Sequence, residues 1–175
     1  LAVSDSAWFM QAYLEEGREV QQSVLNLTQD EKQALFDFLQ WNLKPENKVY
    51  AYHYFYDNCA TRVRDALILA TDSAITFHYD YLQQGYTIRD LTDIYLNQNS
   101  WGDWGIDLLM GATIDTIAPP FQYMYQPEFL QLGFEHATIN RNGKEEPLVL
   151  NTIVYDNPPV VAPNVPWPIR PNQLF

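Results

Sequence analysis

The sequence predicts an α+β fold in which several helices pack on a small antiparallel sheet. Two capping boxes, Thr28 with Glu31 and Thr87 with Asp90, each precede apolar residues at helical spacing. An Asn-Gly pair at 142–143 lies between two runs of strand-forming residues, which is a strong signal for a tight hairpin turn. Helix starts and an antiparallel hairpin in one chain together indicate this fold class.

The chain is predicted to begin with an amphipathic helix. Ser4 or Asp5 can cap its first turn, because both side chains accept hydrogen bonds from unpaired backbone N–H groups. Trp8 and Phe9 would lie on its apolar face. Gly17 is expected to weaken the middle of this helix, since glycine is a poor helix former.

An aromatic run at residues 49–56 predicts a strand after the second helix, which Pro45 must end. Alternate side chains share one face of a strand, so His53 would lie beside Val49 and Phe55 as a packed core histidine. The tyrosines of the run would occupy the other face.

A helix is predicted to follow, with Cys59 in its first turn. Asp57 and Asn58 end the aromatic run and suit the N-cap position. Its apolar stripe would consist of Ala60, Val63, Ala66, Leu67 and Ala70. Its solvent-facing side would hold Arg62, Arg64 and Asp65.

The remaining chain predicts shorter elements. Residues 71–81 are expected to form a loop with a possible short strand. Helices are predicted at 87–96, at 106–110 and from Pro127, which suits a first helical turn. The turn at 142–143 would then join two antiparallel strands.

Length and composition predict one domain at residues 1–155, followed by an extended tail or linker at 156–175. The chain has 175 residues, of which 47% are hydrophobic, enough to fill a sizeable core. Six of the last 20 residues are proline, and no hydrophobic period continues there.

The charge and motif content excludes several classes of function. A net charge of -12 repels phosphate backbones, so no nucleic-acid partner is predicted. No metal or cofactor is predicted, because the three histidines are scattered, there is no second cysteine and no Gly-rich phosphate loop occurs. No apolar run approaches the roughly 18 residues that a membrane span needs.

The single cysteine allows two interpretations. At a helix N-terminus, unpaired N–H groups and the helix dipole stabilise a thiolate, which makes Cys59 a candidate nucleophile. Free cysteine is also among the most buried residue types, so a place in the core is the alternative. Composition and spacing alone leave both open.

Residues 54–65, Tyr-Phe-Tyr-Asp-Asn-Cys-Ala-Thr-Arg-Val-Arg-Asp, resemble the signature of the Lnb-type N-terminal periplasmic domain family. Further matching positions are Gly17-Arg18, 25–28, Arg89, Leu91, Trp101, 105–107, Gly111, Asp115, Met124, Pro127 and Leu130. The resemblance covers most of residues 8–150. That family is placed among permuted papain-like thiol hydrolases, whose relatives include cell-wall amidases and lipid acyltransferases.

The resemblance implies a papain-like arrangement and a thiol hydrolase or transferase that acts on an unknown amide or ester. Cys59 would be the nucleophile. Asn58 would hold its turn or donate a hydrogen bond to the developing negative charge. Thr61, Arg64 and Asp65 would support the site from the helix.

One feature of the family is missing, namely a Gly-His-Thr-like segment with the presumed catalytic histidine, upstream of the signature. We therefore expect this chain to be the later portion of the domain, catalytically incomplete until an upstream segment completes it. A bacterial periplasmic location and membrane attachment through regions outside this chain are implied in the same way. The alternative is a non-catalytic interaction or scaffold domain.

Overall fold

Helices and strands alternate along the chain in the computed structural model, which describes residues 5–96 and 100–155. The helices are α1 (Ser6–Glu15), α2 (Gln29–Asn42), α3 (Cys59–Ala70), α4 (Ile88–Asp93), α5 (Trp101–Met110), a 3-10 helix (Gly111–Ile114), α6 (Pro120–Tyr123) and α7 (Pro127–Glu135). The strands are β1 (Val20–Leu25), β2 (Ile75–Phe77), β3 (Ala137–Arg141), β4 (Lys144–Pro147) and β5 (Val149–Tyr155). This architecture confirms the α+β class. The predicted tail at 156–175 lies outside the described residues.

The described strands form two small antiparallel sheets. One pairs β1 with β5, from Val20 opposite Tyr155 to Leu25 opposite Val149. The other has the order β2-β3-β4. The sequence did not predict β1, because its polar residues lack the β-branched and aromatic character of a typical strand. Pairing with a distant segment decided its conformation.

The first two helices follow their capping signals. The Asp5 side chain accepts from the first-turn N–H groups of α1, and Thr28 with Glu31 forms the predicted capping box of α2. The expectation that Gly17 lies within α1 was wrong. The helix ends at Glu15, and Gly17 adopts a φ of 68°, a left-handed conformation that ends helices readily when the residue is glycine.

The predicted strand at 49–56 is absent from the structure. Its backbone runs irregularly and turns, because the His53 carbonyl accepts hydrogen bonds from the N–H groups of Tyr56 and Asp57. Only an isolated bridge joins His53 to Asp57, so the segment has no neighbouring strand to pair with. Val49 is 79% exposed and His53 is exposed, whereas Phe55 is buried. The prediction of a packed core histidine was therefore wrong.

Helix α3 forms where it was predicted, but two of its residues lie on the opposite side from the one expected. Val63 was predicted to lie in the apolar stripe but is exposed. Arg64 was predicted to lie on the solvent-facing side but is buried. The guanidinium of Arg64 lies 3.9 Å from the centre of the Phe121 ring and donates to the Phe121 carbonyl. An arginine can be buried in this way because its planar cation stacks on an aromatic face.

The later elements largely match their signals. The possible short strand forms as β2, and the turn at 142–143 joins β3 to β4, with both of its residues at positive φ. Helix α4 is shorter than predicted and ends at Asp93. Helix α5 begins earlier than predicted, because Ser100 caps it at Trp101.

Two apolar clusters fill the interior. The first consists of Phe55, Ile88, Leu91, Ile114, Ala118, Tyr123, Tyr125 and Phe129. The second consists of Ala60, Leu67, Met124, Leu130, Phe134, Ala137 and Leu148. The segment around Cys59 connects them, since Phe55 belongs to the first cluster and Ala60 to the second.

Truncating Leu91 tests the first cluster. Leu91 is 0% exposed, so Leu91→Ala is expected to lower the free energy of unfolding by about 2–5 kcal/mol through lost burial and a cavity. Leu109, 86% exposed, is the matched control, and Leu109→Ala should change stability by less than about 0.5 kcal/mol. Urea denaturation measures both, and equal effects would contradict the packing described.

Candidate active site

The side chain of Asn58 organises the turn that carries the cysteine. Asn58 is only 5% exposed, and its side-chain oxygen accepts from the N–H groups of Ala60 at 2.9 Å and Thr61 at 3.0 Å. Its amide nitrogen donates to the carbonyls of Tyr54 and Tyr125, both at 2.9 Å. Both amide protons are therefore used within the fold. These contacts fit a role in holding the turn rather than in donating to a substrate.

Thr61 completes the cap from the helix side. Its hydroxyl accepts from the Asn58 N–H at 2.8 Å and also contacts the Asn58 carbonyl at 3.1 Å. Thr61 is 1% exposed, so this reciprocal pair is shielded from water. The side chains of Asn58 and Thr61 thereby fix the first turn of α3, which begins with Cys59.

Cys59 is the first residue of α3, and its side chain is exposed. The interpretation as a buried core cysteine does not fit this position. Its own backbone N–H has no hydrogen-bond acceptor among the described residues. A thiol and an unused N–H donor therefore lie together at the positive end of a helix.

An apolar groove of about 540 Å³ opens beside Cys59, between α2 and α3. Its apolar wall is formed mainly by Leu25, Leu35, Phe38, Leu39, Leu67 and Phe134. The volume falls within the range of small-molecule binding sites, which are usually concave and largely apolar. A molecule in this groove would be in contact with the thiol.

The exposed part of the groove lining includes Lys48, Arg62 and the ring of Tyr50, and we call this part the mouth of the groove. Arg62 makes a bidentate ion pair with Asp57, at 2.5 Å and 2.7 Å. Its guanidinium also lies 4.1 Å from the centre of the Tyr50 ring. These contacts raise the pKa of Arg62, with the Asp57 hydrogen bond as the main cause. Lys48 lines the same mouth.

Arg64 and Asp65 do not join this site. Arg64 donates to Asp65 at 2.7 Å and to the Phe121 carbonyl, on a side of α3 that does not line the groove. Their contacts hold α3 against the segment that contains Phe121. Of the five site residues that the sequence predicts, the structure brings Cys59, Asn58 and Thr61 together.

No histidine completes the site within the described residues. The contacts of the three histidines are His78 with Thr138 at 2.9 Å, His136 with Asp80 at 3.5 Å, and the His53 ring with Tyr56 at 4.7 Å. None of them hydrogen-bonds to Cys59 in residues 5–96 and 100–155. The same residues contain no group of three or more His, Cys, Asp or Glu side chains that could hold a metal ion.

The groove is the part of the site that sequence reasoning missed. Leu35, Phe38 and Leu39 are among the apolar residues at helical spacing that follow the Thr28–Glu31 capping box, and this spacing predicts only the apolar stripe of a helix. That stripe is left partly uncovered where it faces α3, with Leu35, Phe38 and Leu39 only half-buried. No pattern in the sequence signals this, because the distance between two helices is set by the elements that pack around them.

One comparison with known proteins gives a match. The family model described as the Lnb N-terminal periplasmic domain matches residues 1–93, a segment that includes Cys59 and both helices of the groove. No curated protein and no solved structure matches the chain. In the part of the chain that the structure describes, no helix has the length and apolarity needed to cross a bilayer.

Replacing Asn58 tests its place in the fold. Asn58→Ala removes the cap and leaves two carbonyls without a buried donor, so the free energy of unfolding should fall by about 2–4 kcal/mol. The matched control is Asn47→Ala, which removes one exposed bond to the Trp41 carbonyl and should cost about 1 kcal/mol or less. Thermal and urea denaturation compare the two, and similar losses would show that Asn58 is not the organising residue.

Proposed function

We propose that this chain, which belongs to the Lnb N-terminal periplasmic domain family, supplies the nucleophile of a thiol hydrolase or transferase that acts on an amide or ester. The observation that supports this most is the exposed thiol of Cys59 at the start of α3, beside an apolar groove. Because the family is one of periplasmic domains, we propose the bacterial cell envelope as the location.

The proposed chemistry follows from the positions of two groups. The Cys59 sulfur, as thiolate, attacks the carbonyl carbon, and the carbonyl oxygen becomes an oxyanion that the unused Cys59 N–H can stabilise. The leaving amine or alcohol departs with a proton, and a thioester remains on Cys59. Water or a second acceptor then attacks the thioester, which releases an acid or a transferred acyl product and restores the thiol.

Asn58 and Thr61 act in this proposal as positioning residues. Their buried hydrogen bonds hold the first turn of α3, which carries both the sulfur and the backbone N–H of Cys59. Arg64 and Asp65 serve the helix from its other side. The groove accepts an apolar part of the substrate next to the scissile carbonyl.

The thiol still needs a base, which we propose lies outside these 175 residues. A thiol hydrolase requires a histidine to take and return the proton, and none of His53, His78 and His136 hydrogen-bonds to Cys59 within the described residues. An upstream segment of the same protein would supply it and complete a papain-like arrangement. Membrane attachment would likewise come from regions outside this chain.

The same observation favours a second candidate. A domain whose cysteine has no histidine partner could serve as a non-catalytic interaction or scaffold module in the envelope. In that case the groove would bind a partner without any reaction at Cys59. The two candidates differ in whether the thiol is reactive and whether any form of the domain turns over a substrate.

The reactivity of Cys59 is the first test. Its exposed position in the first turn of α3 predicts that iodoacetamide alkylates Cys59 in the native protein, and faster than in the unfolded chain, because a helix N-terminus stabilises a thiolate. The alkylation rate of the native protein is measured at about pH 7, with the urea-unfolded chain as the control. Alkylation only after unfolding would contradict the nucleophile assignment.

The second test concerns the base. Hydrolysis of a panel of peptide and ester substrates is compared between this chain and a version extended upstream by its native sequence, each with Cys59→Ala as control. We expect activity only in the extended protein, and its loss in Cys59→Ala. Activity of the short chain that disappears on replacing His53, His78 or His136 would instead identify the base within it. Inactivity of both forms, with an unreactive thiol, would favour the scaffold candidate.

A further inference from the structure

The residues that line the groove have a charge opposite to that of the protein. The chain has 22 acidic and 10 basic residues, yet the groove is lined by Lys48 and Arg62, and no described lining residue is Asp or Glu. Both cations are exposed, whereas Leu67 and Phe134 on the apolar wall are buried, so the two charges lie at the solvent side of the groove.

Arg62 can still bind a ligand although it is paired. The ion pair with Asp57 uses Nε–H and one hydrogen of a terminal nitrogen, and a guanidinium has five N–H donors. The remaining donors make no hydrogen bond to the described residues. Arg62 is held in place by Asp57 and Tyr50, so little side-chain entropy is lost when it binds an anion.

Lys48 provides the net positive charge of the mouth. The opposite charges of Arg62 and Asp57 nearly cancel at a distance. The Lys48 ammonium, in contrast, has no ion-pair partner among the described residues. An ammonium group is a mobile point charge that can follow an anion over a range of positions. The two cations thus differ, since Arg62 gives directed hydrogen bonds and Lys48 gives charge.

We propose that Lys48 and Arg62 form a cationic rim that selects single-chain anionic amphiphiles, with the apolar chain in the groove and the negatively charged group at the mouth. This inference rests on the proposed function, because it describes the substrate that would present its scissile carbonyl to Cys59. Charge complementarity identifies the occupant. An apolar peptide segment or a neutral chain would gain nothing from the two cations.

Binding of three decyl probes tests the rim. Decyl phosphate, decylphosphocholine and decyltrimethylammonium share one chain and differ in head-group charge. Affinities are measured by calorimetry and by chemical-shift changes of groove residues, below the concentration at which each probe forms micelles. An ionic strength near 0.15 M screens the distant carboxylates of this acidic chain. We expect decyl phosphate to bind most tightly and decyltrimethylammonium least.

Two variants and a matched control assign the effect to the rim. Lys48→Gln should weaken decyl phosphate binding by about two- to fivefold, the size expected for an exposed ion pair, and leave decylphosphocholine unchanged. Lys44→Gln removes a lysine from the same loop that does not line the groove and should have no effect. Asp57→Asn keeps a side-chain oxygen that can accept from Arg62 but removes a negative charge from the mouth, so it should strengthen decyl phosphate binding.

Each other outcome overturns the proposal. Equal affinity for the anionic and zwitterionic probes, equal losses in Lys48→Gln and Lys44→Gln, or weaker phosphate binding in Asp57→Asn would exclude a cationic selection rim. Failure of all three probes to bind would exclude the amphiphile as occupant. The same binding measurements are repeated with Cys59→Ala, so their outcome does not depend on the reactivity of the thiol. Alkylation measures that reactivity separately.

Discussion

The buried amide of Asn58 is the interaction on which the site and much of the fold depend. It caps α3 with its oxygen and holds two carbonyls with its nitrogen, one in the aromatic turn and one at Tyr125. Tyr125 belongs to the first apolar cluster, and Ala60 belongs to the second. One side chain, on the residue directly before Cys59, thereby connects both clusters. A buried amide that satisfies all of its partners gives a specific geometry, because each unmade bond would be costly.

The groove exists because α3 is held from its other side. Arg64 stacks on Phe121 and donates to its carbonyl, and α7 packs against α3 as well. At the opposite edge, Arg141 bonds to Glu31 and to the Asn26 carbonyl, which anchors the start of α2 to the hairpin. Burial alone would raise the pKa of Glu31, but the bonds from Thr28 and Arg141 outweigh it and lower the pKa. Helices α2 and α3 contact each other, but each is also fixed by separate contacts, and a groove stays open between them.

The site combines groups that were recognisable in the sequence with groups that were not. Cys59, Asn58 and Thr61 are neighbours along the chain, so a helix-capping pattern is enough to place them together. Tyr50 reaches the same site through an irregular segment that was expected to be a strand, and Lys48 directly precedes that segment. Aromatic residues favour strands only when a neighbouring strand is present to pair with them, and here none is described. The conformation of that segment was therefore decided by its surroundings.

The sequence by itself determined the elements whose signals are local. Capping boxes set the starts of α2 and α4, Asn58 set the start of α3, and the Asn-Gly pair set the β3–β4 turn, because each rests on hydrogen bonds or backbone conformations within a few residues. Only the tertiary structure decided that polar β1 pairs with β5, that Arg64 is buried while Val63 is exposed, and that a groove opens beside Cys59. Those features depend on contacts between residues far apart in the chain, and no local sequence pattern predicts which of these contacts form.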